Sequence, residues 1–523
     1  MTGYGVFLRS CLHRDRMMLP WWVIGCTLLY WSQAASVKGL YTTQAQFDAA
    51  ARNMEHNSAF VAMAGPARAL NTIGGQVTWQ ASAFGAIVAG LMSMFVIARH
   101  TRAEEESGRD ELIRSGVVGR HAPMAAALTT SLLANAVMAA CVSLSLIGYG
   151  LAVPGALALG TGLLGTGAVF SAVALLAAQL TDGTRTMYGI TGAVIGASYA
   201  LRAIGDVSGN GLSWLSPIGW YQAMHAYSGE RWWPLVLLAA ASALVLVASF
   251  LVFGRRDIGA GVFQSRPGPA RAPRGLAGDL GLAWRLQRGS IVGWSLGLFL
   301  GGLGYGSIGS DVGTLIGDSK FAKDVFVPGG GSLVDAFYAS AALMLTLIAC
   351  GYSISAALRA RGEEDAGHLE SLLATGLSRR RWLAGQVVVT VGGLLAVMAL
   401  AGLGLGIGYA AATGDGSAVA RLCWAVLSLM PGALVLTALT RLVYGLRPRL
   451  ASVAWLPLAF CVVVMFFGAV LRFPQWLTDL SPFSHLALVP AVPVDWTPFG
   501  LVLAFAVVFS LTGQWAFTRR DAG

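Results

Sequence analysis

The segment Phe253-Gly-Arg-Arg-Asp257 returns as Phe517-Thr-Arg-Arg-Asp521, 264 positions later, and each copy closes one half of the chain. Leu215-Ser-Pro217 likewise returns as Leu480-Ser-Pro482, at an offset of 265. Near-constant offsets over so long a chain indicate a duplicated unit. Because both halves are mostly apolar, the duplication predicts a membrane protein with two parallel halves, the plan of many transporters.

The composition excludes an ordinary soluble domain. The chain has a mean hydropathy of +0.66, with 56% apolar and 11% charged residues, whereas soluble domains hold about 25% charged residues. Its six cysteines are scattered and none has metal-ligand spacing, so we predict neither a disulfide framework nor a metal site. The net charge of +10 comes from basic residues at the ends of apolar segments, which favours membrane topology over nucleic-acid binding.

Twelve apolar stretches are close to the roughly 20 residues that a helix needs to cross a bilayer. They predict an all-α polytopic protein with two tandem six-helix halves, 1–253 and 282–523, joined by an Arg/Pro/Gly-rich linker at 254–281. The predicted spans are 18–37, 80–98, 124–148, 154–180, 187–205, 234–253, 290–310, 335–357, 384–410, 422–442, 450–471 and 498–517.

Topology follows from the basic residues. With the N-terminus inside, 26 of the 35 Lys and Arg residues lie on the inner side, so we predict that both termini are cytoplasmic. A short basic amphipathic segment precedes the first span of each half, at 4–16 and 281–288, and is typical of an interfacial helix.

A charged inner loop follows the second span of each half. The first inner loop, 102–120, begins Arg102-Ala-Glu-Glu-Glu-Ser-Gly-Arg-Asp-Glu111, and the second, 361–381, begins Arg361-Gly-Glu-Glu-Asp-Ala-Gly-His-Leu-Glu370. Acids first and bases last predict a short helix. A glycine would close it, and a small apolar face would complete it; these residues are Gly116, Gly376, Leu112, Ile113, Leu372 and Leu373. An acidic turn on a basic face favours a docked protein partner, and the alternative is a self-capped helix on the membrane surface.

These loops, the Leu-Ser-Pro segments and the Phe-x-Arg-Arg-Asp exits together resemble the permease subunits of ATP-binding-cassette exporters. Within that family the chain is most similar to the fused twelve-span permeases of actinobacterial drug and polyketide-antibiotic exporters, the tetronasin-resistance type. The resemblance covers essentially the whole chain and implies a bacterial plasma-membrane protein that exports hydrophobic compounds such as antibiotics, polyketides or other drugs.

The resemblance also implies partners. In that family the inner loops are coupling helices, seated on two separately encoded ATPase subunits that bind ATP and Mg. The residues that this implies here are Glu104, Glu105, Glu106, Gly108 and Glu111 for one seat, and Glu363, Glu364, Asp365, Gly367 and Glu370 for the other. His368 stands where the first loop has Arg109, and the second loop has one extra residue, so the two seats need not be equivalent.

The chain has no phosphate-binding loop of its own. That loop ends in Lys followed by Ser or Thr, and Lys38, Lys320 and Lys323 are followed by Gly, Phe and Asp. We therefore predict a transport subunit that is not itself an enzyme and binds no cofactor. An ion-coupled secondary multidrug carrier is the alternative, but no Asp or Glu lies mid-span, where proton-coupled carriers keep one. A scaffold or a lipid-processing enzyme remains a further alternative.

Two further sets of residues are candidates for the substrate path. Aromatic side chains crowd the first span of each half and the start of the eighth span, where they would suit amphiphilic cargo or, alternatively, form an aromatic belt: Trp21, Trp22, Tyr30, Trp31, Trp294, Phe299, Phe337 and Tyr338. The Leu-Ser-Pro segments predict a short outer turn or re-entrant piece that could gate the path, through Ser216, Pro217, Ser481 and Pro482.

Overall fold

The computed structural model describes residues 2–40, 43–55, 58–109, 116–256, 261–263, 271, 274–276, 278–307, 332–467 and 473–520. Within these residues the regular structure is helical and no strand occurs. Contacts divide the chain into two compact units, Met1–Gly268 and Pro269–Gly523. This boundary falls inside the segment 254–281, part of which lies outside the described residues.

The first unit holds eleven of the described α-helices. In chain order they are α1 Tyr4–Asp15, α2 Leu19–Leu40, α3 Gln44–Glu55, α4 Ser58–Ala64, α5 Ile73–His100, α6 Arg102–Glu106, α7 Ala122–Gly148, α8 Val153–Leu180, α9 Thr184–Ser208, α10 Pro217–Gln222 and α11 Pro234–Arg255.

The second unit holds nine of the described α-helices. They are α12 Asp279–Gly306, α13 Leu333–Asp365, α14 His368–Leu373, α15 Arg379–Thr413, α16 Ala418–Leu427, α17 Met430–Leu446, α18 Trp455–Phe467, α19 Gln475–Thr478 and α20 Trp496–Arg519.

The protein is a polytopic membrane protein. Nine segments of the described chain are long and apolar enough to cross a bilayer, and they coincide with nine of the predicted spans. The other three predicted spans, 18–37, 187–205 and 290–310, fall on α2, α9 and α12, which are 22, 25 and 28 residues long but less apolar. Residues 308–310, and residues 468–471 of the predicted span 450–471, lie outside the described part. The count of twelve stays a prediction.

Two helix boundaries differ from the sequence-based expectation. The predicted span 422–442 is divided into α16 and α17, with Pro431 in the first turn of α17, where its missing N–H would have had no partner. The basic segment 281–288 is not a separate interfacial helix but the first part of the unbroken α12. Its counterpart α1 does end, at Asp15, shortly before Pro20 in the first turn of α2.

Candidate functional site

The first inner loop is held by a buried ion pair. Glu105, on α6, receives two hydrogen bonds from the Arg256 guanidinium, with N–O distances of 2.6 and 3.1 Å. Their side chains are 8% and 3% exposed. Arg256 also donates from Nε to the amide oxygen of Gln179 at 2.8 Å, and Arg102 donates to the same carboxylate. A bidentate pair with further hydrogen bonds recovers much of the desolvation cost of burying the two charges.

The second inner loop has the corresponding pair. Glu364, in the last turn of α13, accepts hydrogen bonds from Arg520 at 2.5 Å and from the Tyr444 hydroxyl at 2.6 Å. The Arg520 guanidinium lies 4.9 Å from the centroid of the Tyr444 ring and 5.1 Å from that of Phe517. Arg256 lies over Phe253 in the same way, at 5.4 Å. Each contact combines an ion pair with a cation–π interaction.

The end of each inner loop binds the same arginine from the other side. Arg120 donates to the backbone carbonyl of Arg256 at 3.0 Å, and Arg379 donates to that of Arg520 at 2.6 Å. We call each set of contacts a clamp. The first clamp consists of Glu105, Arg256 and Arg120, and the second of Glu364, Arg520 and Arg379. In both units the clamp fastens the inner loop to the end of the last helix.

The acids of the second loop end a helix rather than begin one. Glu363, Glu364 and Asp365 form the last turn of α13, where the helix dipole disfavours negative charge. The expectation of acids in the first turn of a short helix therefore holds for Glu370, in the first turn of α14, and is wrong for the triplet, which ends α13. The Arg520 cation, which pairs with Glu364, offsets the dipole, and Nδ1 of His368 lies 3.0 Å from a carboxylate oxygen of Glu363.

The remaining acids of the two acidic triplets also have internal partners. Glu104 pairs with Arg14 of α1 at 2.7 Å, and this hydrogen bond raises the pKa of Arg14. Glu106 accepts from the backbone N–H of Thr184 at 2.9 Å and so caps the first turn of α9. Asp365 pairs with Arg361 at 3.1 Å. Glu104 and Glu106 thus fix the first loop to α1 and α9, whereas the Asp365–Arg361 pair lies within α13.

Each loop leaves part of its surface exposed. Gly108 and Gly367 both adopt the left-handed conformation, with φ of 71° and 72°, which favours glycine two residues after each acidic triplet. In the second loop Gly367, His368 and Glu370 are exposed. Glu370 has no ion-pair partner within the described residues. In the first loop Glu111 lies outside the described residues, as do Leu112 and Ile113.

The apolar face of the second loop turns toward its own unit. Leu372 and Leu373 pack against a buried cluster that contains Trp382, Tyr444 and Phe517. Gly376 closes the loop in the left-handed conformation, at φ 83°, as predicted. The short helix of this loop is α14, His368–Leu373, which begins three residues after the acidic triplet ends.

The predicted aromatic path residues do not form one wall in either unit. In the first, Trp21 and Trp31 are exposed, Trp22 lies against Phe95, and buried Tyr30 has its hydroxyl 3.1 Å from that of Tyr221. In the second, the Tyr338 hydroxyl donates to the Gly306 carbonyl at 2.9 Å within the core, where Trp294 is partly buried. Phe299 is partly buried as well.

Phe337 and Ser481 line one cavity of the second unit. Its volume is about 560 Å³, and Met344, Leu347 and Phe483 contribute to its largely apolar wall. Ser481 belongs to the Leu-Ser-Pro segment, so a predicted path residue and a predicted gate residue lie together here.

Both Leu-Ser-Pro segments begin short helices. Ser216 caps α10 by accepting from the N–H groups of Ile218 and Gly219, and Pro217 is in its first turn. Pro482 begins a 3₁₀ helix that ends at His485. The predicted short pieces before the last spans are therefore present as helical turns.

Sequence reasoning missed the clamp arginines. The repeated Phe-x-Arg-Arg motif and the repeated acidic triplet were both recognised, but not as each other's partners. The two motifs carry opposite charges and both occur in each half of the chain, and this pattern could have indicated that they pair.

Two comparisons with known proteins identify the family of this chain. Residues 276–518 match the family model described as the multidrug efflux system permease Rv1217c, C-terminal domain. The chain is 37% identical over 529 residues to the multidrug efflux system permease protein Rv1217c of Mycobacterium tuberculosis, covering 99% of this chain and 95% of that protein. This confirms the resemblance to efflux permeases. The chain belongs to the family of multidrug efflux system permeases that includes Rv1217c.

Proposed function

We propose that this permease is the membrane-spanning subunit of an ATP-driven exporter. Two separate ATP-binding subunits would supply the energy, and they would bind ATP and Mg. Both termini and both inner loops would face the cytoplasm, across the bacterial plasma membrane. The observation that supports this proposal most is the clamp, because a loop fastened to two helices can pass a force on to both.

The clamps suggest how the loops would work. Glu105 and Glu364 are engaged internally, so their role would be to hold the loop rather than to touch the partner. The partner would contact the exposed part, around Gly108 in one loop and around Gly367, His368 and Glu370 in the other. Since the first clamp joins α6 to α11 and the second joins α13 to α20, pressure on a loop would move the last helix of its half.

The cargo would be a hydrophobic or amphiphilic compound such as an antibiotic, polyketide or other drug. The name of the Mycobacterium tuberculosis relative, a multidrug efflux permease, supports this class of substrate. The cavity of about 560 Å³ with apolar walls also supports it, because apolar contact tolerates varied shapes.

The test is transport by the purified permease in liposomes, with and without its ATP-binding subunits. We expect drug accumulation against a gradient only with those subunits and ATP. The double variant Glu111→Lys/Glu370→Lys should abolish this transport while inserting normally. Asp415→Lys, which reverses an exposed acid beyond the opposite end of α15, is the matched control and should transport normally.

Two outcomes would overturn the proposal. Uphill transport by the permease alone, collapsed by a protonophore, would make it a secondary carrier. Full ATP-driven transport by the double variant would remove the inner loops from the coupling role.

A further inference from the structure

Among the residues that the structure describes, Arg441 is a buried cation without a counter-charge. It lies in α17 and is 7% exposed, and its Nη2 atom is buried without a hydrogen-bond partner. Within the described residues it has no ion pair, whereas the nearby Arg520 is paired with Glu364. An unpaired buried charge is costly, so a guanidinium held in this way is suited to a ligand that brings the missing negative charge.

Arg441 lines a crevice of the second unit. The crevice has a volume of about 250 Å³ and lies between α15, α17 and α20. Its wall is mostly apolar, with Val391, Leu434, Leu503 and Val507, and the hydroxyl-bearing Ser510 lies beside them. Several of these residues belong to exposed helix faces, so the crevice opens sideways from the unit, where lipid would be.

The crevice has one charged end and one apolar end. Arg441 precedes Tyr444 by three residues, about one helical turn, and Tyr444 binds Glu364 in the second clamp. On α15, Val387 and Val391 lie 8 and 12 residues after Arg379, a member of the second clamp. These two apolar wall residues therefore lie roughly 12–18 Å along the helix from the clamp. A molecule with an anionic head and an apolar tail matches this polarity.

The fold does not require this cation. Gln179 in the first unit and Tyr444 in the second each contact the clamp arginine of their own unit. Three residues before Gln179 the first unit has Leu176, where the second has Arg441. Helices α8 and α17 correspond to the fourth predicted span of their halves. The first unit therefore folds with a leucine at the position equivalent to Arg441.

From these observations we propose that Arg441 binds the carboxylate or phosphate of an anionic amphiphile whose apolar chain lies in the crevice. The planar guanidinium suits both groups, since it donates two parallel hydrogen bonds to either. A membrane phospholipid and an exported carboxylic acid share this chemistry. The proposal does not depend on which energy source drives transport.

The probe is spin-labelled stearic acid, compared with its neutral methyl ester, in phosphatidylcholine nanodiscs that contain the whole permease. Electron paramagnetic resonance measures the motionally restricted fraction. We expect the permease to bind the acid about tenfold or more tightly than the ester, because only the acid offers charge-assisted hydrogen bonds. Arg441→Leu should remove this preference, and Arg441→Lys should retain part of it.

Two further variants test whether the loss of the preference for the acid is specific to Arg441. Arg449→Leu, which removes an exposed arginine, should keep the preference. Val507→Trp, which places bulk in the crevice, should weaken binding of acid and ester alike. Equal affinity for the two probes in the wild-type protein, or an unchanged preference in Arg441→Leu, would overturn the proposal.

Competition distinguishes the two sources. If phosphatidylglycerol displaces the spin-labelled acid while phosphatidylcholine does not, the occupant is a lipid phosphate. If phosphatidylglycerol fails to displace it and unlabelled oleate succeeds, the site is selective for a free carboxylate.

Discussion

Arg256 lies between a carboxylate, an amide and an aromatic ring. Glu105, Gln179 and Phe253 all contact its guanidinium, and Arg120 binds its backbone carbonyl. So many contacts on one side chain make the inner loop depend on a residue about 150 positions away in the chain. For a single residue such as Arg256, the role in the site follows from the side chains that it contacts and not from its own sequence motif.

We predict that Glu105→Gln destabilises the protein, because it leaves the Arg256 charge buried without its counter-charge. The expected loss in the free energy of unfolding is about 3 kcal/mol, the usual cost of breaking a buried ion pair from one side. Arg256→Gln should cost a similar amount. Denaturant unfolding of the purified variants measures both.

The double variant Glu105→Gln/Arg256→Gln is the decisive comparison. If the two residues act as a pair, it loses clearly less than the sum of the two single losses. Additive losses would contradict the clamp. Asp415→Asn, an exposed acid outside the clamp, should stay close to the wild-type stability.

At the scale of helices, glycines set how closely α12 and α15 approach. A Cβ atom on Gly404 would lie 2.2 Å from the carbonyl oxygen of Phe299, and one on Gly408 would lie 2.4 Å from that of Leu303. Gly402 and Gly406 instead face α16, where a Cβ would meet the backbone of Cys423 or Val419. These alternate glycines therefore serve close packing, because small residues let helix backbones touch where lipid supplies no hydrophobic drive for association.

Gly404→Ala should therefore force α12 and α15 apart. We expect a loss of about 2 kcal/mol in the free energy of unfolding, since backbone atoms cannot give way as a side chain can. Gly392→Ala in the same helix is the matched control, because a Cβ there meets nothing within 4 Å. Thermal unfolding in detergent should separate the two variants, and equal midpoints would contradict the packing argument.

How much of this could be read from the sequence depends on the kind of feature. Long apolar runs predict helices well, because backbone groups in a bilayer must bond within their own segment. The break before Pro431 was not predicted, since proline is also tolerated within membrane helices. The extension of α13 through Glu363 was missed because the dipole argues against it, and only the folded structure supplies Arg520.

At the scale of the whole chain, each unit has a hydrophobic core of its own. Tyr30, Met92 and Phe170 are buried in the first unit, and Leu298, Met398 and Leu405 are buried in the second. The clamps likewise close within a unit: Glu105 with Arg256, and Glu364 with Arg520.

We therefore predict that residues 1–268, expressed alone, insert in the membrane and fold. Limited proteolysis should leave a resistant fragment that includes the first inner loop. The same fragment with Arg256→Gln should be cut within that loop, because the clamp is lost. Rapid digestion of the unaltered fragment throughout its length would show that the first unit needs the second.

The position of the clamp arginines has a consequence for synthesis. Arg256 and Arg520 leave the ribosome 151 and 156 residues after Glu105 and Glu364, the acids that they restrain. A nascent or prematurely terminated chain therefore carries inner loops whose clamps have not yet formed. An ATP-binding subunit that docks on the inner loops, as proposed above, would therefore meet a clamped loop only on a completed half.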